Sequence, residues 1–225
     1  MSLGKTLALA AVICAVAATV AFADTISGNG QLIGTSGNDT INAGNSNDTA
    51  YGLAGKDTIN AGNGNDLIDG DGHCTQGLNS AQYCEDGPIA GDGGDTINAG
   101  NGNNTVFGGG GHNTINVGSG TDTVYGGPLG DTINTGANGH PTVRLGAGGA
   151  NTVNIGTGAS GTVYAQNGKT DTINCNGANI TVYADKVDVT KKCAQVITAT
   201  RAARAQRLSL AHRHSRVHRH TRRHH

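Results

Sequence analysis

The chain has 225 residues, among them 38 glycines, five tyrosines, two phenylalanines and no tryptophan. So much glycine beside so few large side chains excludes an ordinary close-packed domain and calls for a thin, repetitive core. The formal charge of −1 conceals two opposed parts: residues 24–199 hold all 16 acidic residues against only Lys56, Arg144, Lys169, Lys186, Lys191 and Lys192, leaving −10 there, and eight arginines follow Thr200.

Residues 1–23 read as a secretory signal peptide. Lys5 precedes an apolar run from Thr6 to Val20, and Ala21-Phe22-Ala23 makes a small-x-small cleavage site ahead of Asp24. The competing reading, an uncleaved anchor helix, needs a longer apolar run than this one. The chain is therefore expected to be secreted and extracellular, with no membrane span after signal cleavage. Residues 24–33 do not fit the repeat that follows, although Leu32 stands nine before Ile41, and are expected to form an N-terminal cap.

From Gly34 a nine-residue unit recurs: GTSGNDTIN, AGNSNDTAY, GLAGKDTIN, AGNGNDLID and, after an interruption, AGDGGDTIN, AGNGNNTVF, GGGGHNTIN, VGSGTDTVY and GGPLGDTIN. One apolar column holds the phase: Ile41, Ala50, Ile59, Ile68, Ile97, Val106, Ile115, Val124 and Ile133. The residue after it alternates between Asn (Asn42, Asn60, Asn98, Asn116, Asn134) and a bulkier set (Tyr51, Asp69, Phe107, Tyr125), so the structural repeat is 18 residues, two half-turns per coil. Each half-turn is a Gly/Asn/Asp turn followed by a three-residue strand. Strands one coil apart stack in parallel at about 4.8 Å, with the aliphatic residue inward and its two neighbours outward. The predicted fold is all-β, a parallel β-roll (β-solenoid) of 18-residue coils with two facing parallel sheets over 34–183.

The interruption, residues 70–89, is expected to be a loop extruded from an unbroken solenoid, since its removal restores the phase from Ile68 to Ile97. It carries Cys74 and Cys84, and Cys175 and Cys193 flank the last coil. Four cysteines in an exported chain imply two disulfides, and proximity favours 74–84 and 175–193 over the two other connectivities. Beyond Asn134 the period lengthens to ten, with Val143, Val153, Val163 and Ile173 in the apolar column, then returns to nine at Val182. Here the acidic position is taken by Pro141, Asn151, Gly161, Asp171 and Ile180, so these turns read as degraded and Asp171 as nearly silent. Residues 184–198 form the predicted C-terminal cap, and 199–225 a disordered Arg/His-rich tail.

The chemistry lies in the turns. Asp39, Asp48, Asp57, Asp66, Asp95, Asp122 and Asp131 share one phase, with Asn104 and Asn113 as variants. Residues 18 apart lie on the same edge, so Asp39 meets Asp57, Asp48 meets Asp66 and, across the loop, Asp57 meets Asp95. Stacked carboxylates repel unless a cation lies between them. Turn glycines (Gly37, Gly55, Gly64, Gly93, Gly102, Gly111 and Gly120) let main-chain carbonyls point to the same place, and carboxylate and carbonyl oxygens are what calcium takes. Burying one Ile or Val returns about 2 kcal/mol, whereas ordering the backbone costs about 1–2 kcal/mol per residue. Nine ordered residues outweigh one buried side chain, so folding is expected to require the ion, with Asp57 the most sensitive position.

These units resemble the repeats-in-toxin (RTX) nonapeptide Gly-Gly-x-Gly-x-Asp-x-apolar-x of hemolysin-type calcium-binding proteins, closely over 34–134 and loosely over 135–183. The resemblance implies a calcium-bound parallel β-roll, with ions between adjacent coils held by the Asp side chains and turn carbonyls. The ending TINCNGANITVYADKVDVTKKCAQVI is similar to the closing cap of secreted calcium-binding repeat proteins. Three departures stand out: an N-terminal rather than C-terminal export signal, Asn at two middle positions, and no attached enzyme or adhesive domain.

No catalytic site is expected, because cap, coils, loop and tail account for the whole sequence. His73 near Asp71 and Asp86 reads as a solvated loop residue, and His112 and His140 as turn residues. The faces admit another use. A Thr/Asn array (Thr40, Thr58, Thr96, Thr114, Thr132) fits ice binding, and a Thr/Tyr face (Thr49, Thr105, Thr123 beside Tyr51, Phe107, Tyr125) fits a glycan; both also fit internal ladders between coils. The tail, with His212, His214, His218, His220, His224 and His225, suits a polyanionic surface or transition metals, but no specific nucleic acid.

Overall fold

The computed structural model describes residues 23–71 and 93–198, and within them every regular element is a strand. The strands alternate between two nine-stranded parallel sheets. The first contains β1 (Thr25–Ser27), β3 (Thr40–Asn42), β5 (Thr58–Asn60), β7 (Thr96–Gly100), β9 (Thr114–Val117), β11 (Thr132–Asn134), β13 (Thr152–Asn154), β15 (Thr172–Asn174) and β17 (Val189–Lys191). The second contains β2 (Gln31–Ile33), β4 (Thr49–Tyr51), β6 (Leu67–Asp69), β8 (Thr105–Phe107), β10 (Thr123–Tyr125), β12 (Thr142–Arg144), β14 (Ser160–Tyr164), β16 (Asn179–Ala184) and β18 (Gln195–Thr198). This is the two-sheet parallel β-solenoid that the 18-residue repeat predicts.

Its register follows the apolar column. Ile41 stacks on Ile59, Ile59 on Ile97, Ile97 on Ile115 and Ile115 on Ile133, all fully buried, with the flanking Thr and Asn half-buried on the outer face. The interruption leaves the ladder intact, since Thr58 pairs with Thr96 and Leu67 with Thr105. Segment 24–33 supplies the first strand of each sheet through a coil shortened to 15 residues, Ile26 standing opposite Ile41. At the other end Cys175 and Cys193 are joined, as predicted, tying the end of β15 to the segment after β17. Cys74, Cys84, His73, the apolar N-terminal run and the Arg/His tail lie outside the described residues. Among those described, no helix is long and apolar enough to cross a membrane.

Both outer faces carry side-chain ladders. On the first sheet each Asn amide donates to the Asn one coil before: Asn60 to Asn42, Asn98 to Asn60, Asn116 to Asn98, Asn134 to Asn116, Asn154 to Asn134 and Asn174 to Asn154, at 2.8–2.9 Å. On the second, Phe107 stacks on Tyr125 and Tyr164 on Tyr183, at centroid separations of 4.8 and 5.1 Å, while the Arg144 guanidinium lies 4.4 Å from the Tyr164 centroid. Planar groups repeating at strand spacing stack on their own kind.

Candidate metal centre

The turns lie on two edges, one leading from the first sheet to the second and the other leading back. On the return edge the predicted acidic column forms one continuous ladder. The main-chain amide of each member donates to Oδ1 of the next: Asp39 to Asp57 (2.7 Å), Asp57 to Asp95, Asp95 to Asn113, Asn113 to Asp131, Asp131 to Asn151 and Asn151 to Asp171 (2.8 Å each), and Asp171 to Asp188 (3.0 Å). On the other edge the ladder runs from Asp48 to Asp66 (2.8 Å), Asp66 to Asn104 and Asn104 to Asp122 (3.0 Å each). Every predicted Asp and Asn is brought into one of these two rows, and all are almost fully buried.

The neighbouring carboxylates are thus held together by main-chain amides, a device not anticipated from spacing alone. It explains the Asn variants, because Asn keeps the Oδ1 acceptor and drops the charge. It also brings in Asn151, Asp171 and Asp188. Asp171 is no remnant of a degraded turn but a rung with no exposed surface. Asp188 escapes phase counting because the residue two places on is Thr190, outside the apolar column.

One carboxylate oxygen is left over. In the first coil Oδ2 of Asp39 accepts from the Thr35 amide (2.5 Å) and hydroxyl (3.0 Å), and Oδ2 of Asp48 from the Gly44 amide (3.2 Å). Oδ2 of Asp57, Asp66, Asp131 and Asp171 is buried with no donor. A buried acceptor without a partner is expensive. Burial accordingly pushes the Asp57 carboxyl up to about 6, with the Asp39 charge adding to it and the Asp39 amide opposing it, and the Asp131 carboxyl up to about 6 against the pull of the Asn113 amide. Asp66, Asp122, Asp171 and Asp188 are raised for the same first cause.

At Asp57 this oxygen lies near a main-chain carbonyl of the next coil. A Cβ on Gly52 would overlap both Oδ2 of Asp57 and the carbonyl oxygen of Gly70 in the next coil; one on Gly34 would strike the Gly52 carbonyl and lie 2.8 Å from Oδ2 of Asp39. Glycine therefore leaves open a cradle in which a carboxylate and a carbonyl oxygen share one point. At Gly108 the same point is flanked by the Gly126 carbonyl and by Nδ2 of Asn113, 2.9 Å from such a Cβ. There the amide supplies a donor, and Asn113 Nδ2 also donates to the Gly110 carbonyl at 3.0 Å.

The predicted turn glycines form two columns. A Cβ on Gly55 would overlap the Gly37 carbonyl, one on Gly93 that of Gly55 and one on Gly111 that of Gly93; on the other edge Gly64 is set against Ser46, Gly102 against Gly64 and Gly120 against Gly102. Gly55, Gly64, Gly102, Gly111 and Gly120 have positive φ, between 73° and 149°. Gly37 and Gly93 are outside that region, and the Gly55 carbonyl accepts the Gly93 amide at 2.7 Å. Among the described residues no three His, Cys, Asp or Glu side chains converge on one point, so a cation here must draw on carbonyls as well. Donorless carboxylate oxygens beside carbonyl oxygens, in a turn built of glycine, fit a hard divalent cation.

Comparison with known proteins agrees with this chemistry. The RTX calcium-binding nonapeptide repeat family matches residues 24–55, 33–68 and 89–124. No curated protein and no solved structure matches the chain. RTX nonapeptide repeats bind calcium ions, and the stretches 24–68 and 89–124 of this chain match the model of those repeats.

Proposed function

We propose that the protein is an exported, non-catalytic calcium-binding β-roll that folds on binding the ion and serves a structural or cell-surface role. Calcium is held on the two edges by the Asp columns, with Asp57, Asp66 and Asp131 contributing Oδ2 and the turn glycines contributing carbonyls. The observation that carries this reading is the set of buried Oδ2 atoms without a donor. Without a cation each leaves a buried carboxylate oxygen uncompensated, and at Asp57 sets it near the point taken by the Gly70 carbonyl; with one, these oxygens become ligands. Export rests on the N-terminal run with its small-x-small site, on the Cys175–Cys193 disulfide, and on the occurrence of such repeats typically in secreted bacterial proteins. Calorimetric titration with calcium tests the reading directly: saturable binding at several sites supports it, and no heat beyond dilution rejects it.

The surface role draws on the Thr columns of both sheets, which stay half-exposed in straight register from Thr40 to Thr172 on the first and from Thr105 to Thr181 on the second. The Asn and aromatic ladders between coils support an internal duty for the neighbouring columns. A glycan array and a thermal-hysteresis assay on the calcium-loaded protein separate an adhesive or ice-binding face from a purely structural one.

A further inference from the structure

The solenoid ends in open strands. Among the described residues β1 and β2 each have a neighbouring strand on one side only, as do β17 and β18. An open strand offers a row of main-chain N–H and C=O groups to any strand that can continue the sheet. The exposed large aliphatic side chains of the described residues lie at the same two ends: Ile33 in β2, Val187 before β17 and Val189 within it, and Val196 and Ile197 in β18. At the C-terminal end the core itself is uncovered. Val196 stands in register with Val182, which is fully buried, yet Val196, in the last described strand, is 42% exposed.

The N-terminal end carries the matching pattern. In β18 the Thr column, the apolar column and the outer column end on Gln195, Val196 and Ile197; in β2 they begin on Gln31, Leu32 and Ile33. Adding β2 of a second copy to β18, in the register that holds between coils, sets Gln31 against Gln195 and Leu32 against Val196. It also sets Ile33, 47% exposed, against Ile197, 36% exposed. In the first sheet the same step places Thr25, Ile26 and Ser27 of the second copy beside Val189, Thr190 and Lys191. Each open apolar residue of β18 thus gains an apolar neighbour, and each polar one a polar neighbour.

Charge selects this arrangement over a joint between like ends. Residues 24–55 hold Asp24, Asp39 and Asp48 and no Lys or Arg, whereas 185–198 hold exposed Lys186, Lys191 and Lys192 against Asp185 and Asp188. Two C-terminal ends would crowd the lysines of both copies together; a C-terminal end on an N-terminal end sets them beside carboxylates. We propose that the folded protein associates head to tail, β17 and β18 of one copy taking β1 and β2 of the next, so that both sheets run on from chain to chain. Such an interface is heterologous and does not close on itself, so it builds linear stacks. This stacking goes beyond the structural role proposed above and rests on strand register, not on the position of the ion.

Sedimentation velocity of the chain from Asp24 in calcium, over a rising concentration series, tests it. The weight-average mass is expected to pass twice the single-chain value and to keep rising with concentration. Ile33→Lys and Ile197→Lys, each at an exposed position, are expected to remain single chains. Mixed, they are expected to form two-chain species and nothing larger, because the intact N-terminal end of the Ile197→Lys chain fits the intact C-terminal end of the Ile33→Lys chain. That pairing also shows both variants to be folded. A single-chain mass at every concentration, with a native strand signal in circular dichroism of the same samples, overturns the stacking and leaves calcium binding standing. A dimer that Ile33→Lys leaves intact overturns it too, since that dimer joins like ends. Association confined to a chain ended at Thr198 gives the open edge to residues 199–225 and likewise overturns the second copy as its occupant.

Discussion

The main-chain amide of Asp39 donates to Oδ1 of Asp57, one coil away, at 2.7 Å, while Oδ2 of the same Asp57 has no donor. One carboxylate thus does two jobs with its two oxygens, binding coil to coil and facing the cradle beside Gly52. The jobs are separable by mutation. Asp57→Asn retains the acceptor for Asp39 and removes the charge, so calcium affinity is expected to fall at least tenfold with the calcium-saturated fold kept. Asp57→Ala also orphans a buried amide, at a further cost of about 1–3 kcal/mol in calcium-saturated stability. Titration calorimetry and denaturant melts of the two variants check this; identical behaviour contradicts the division.

At Asn113 the division is reversed. Its Nδ2 donates to the Gly110 carbonyl and lies near the point shared with Gly126, so that coil meets its own need for a donor. Asn113→Asp is expected to add a calcium ion to the stoichiometry and to destabilise the protein in chelator. An unchanged count in equilibrium dialysis counts against the cradle as the binding point.

The carboxyls of Asp57 and Asp131, near 6 in the metal-free fold against about 3.9 in an unfolded chain, fix the sign of the pH dependence. A raised folded-state value means that the folded form binds the proton more tightly. The stability this contributes is fully present below about pH 4 and is lost as pH rises through 6. The metal-free protein is therefore expected to be more ordered at about pH 4.5 than at about pH 7.5. Protons and calcium compete for the same oxygens, so calcium affinity falls over the same interval as pH drops. Strand content and calcium affinity at the two pH values check both signs.

Gly52 is expected to tolerate no side chain. A Cβ there overlaps Oδ2 of Asp57 and the Gly70 carbonyl, so Gly52→Ala must separate two coils and close the cradle. A loss of about 1–3 kcal/mol in calcium and a weakened calcium response are expected. Ala165 holds the corresponding place in a later coil with its methyl inside the core, so Ala165→Gly is expected to leave the calcium count unchanged. Stability and calcium titration of the pair give the comparison.

Much of this architecture is legible in the chain itself, for a physical reason: a solenoid repeats one local solution, so the phase of Ile41, Ile59 and Ile97 fixes the inward face, the register and the stacking of Asp39, Asp57 and Asp95 together. The continuity of register across the interruption followed from the same counting, and the disulfide between Cys175 and Cys193 from the proximity of the two cysteines in the chain. The use of Oδ1 was not legible, because a spacing of 18 brings two aspartates together without saying which atoms meet. Nor was Asp188, whose strand has Thr190 where the pattern expects an aliphatic residue. The turns at Asn151 and Asp171 read as degraded because Pro141, Gly161 and Ile180 take the acidic position around them, whereas the ladder needs only an Oδ1 acceptor in phase.

The central claim is that the coils of 34–134 exist as a fold only with calcium bound. Far-ultraviolet circular dichroism of the chain from Asp24, first in excess chelator and then through a calcium titration, tests it most directly. The account predicts that most of the strand signal is absent in chelator and appears cooperatively as calcium is added. A full native strand signal in chelator, unchanged by calcium, would contradict it.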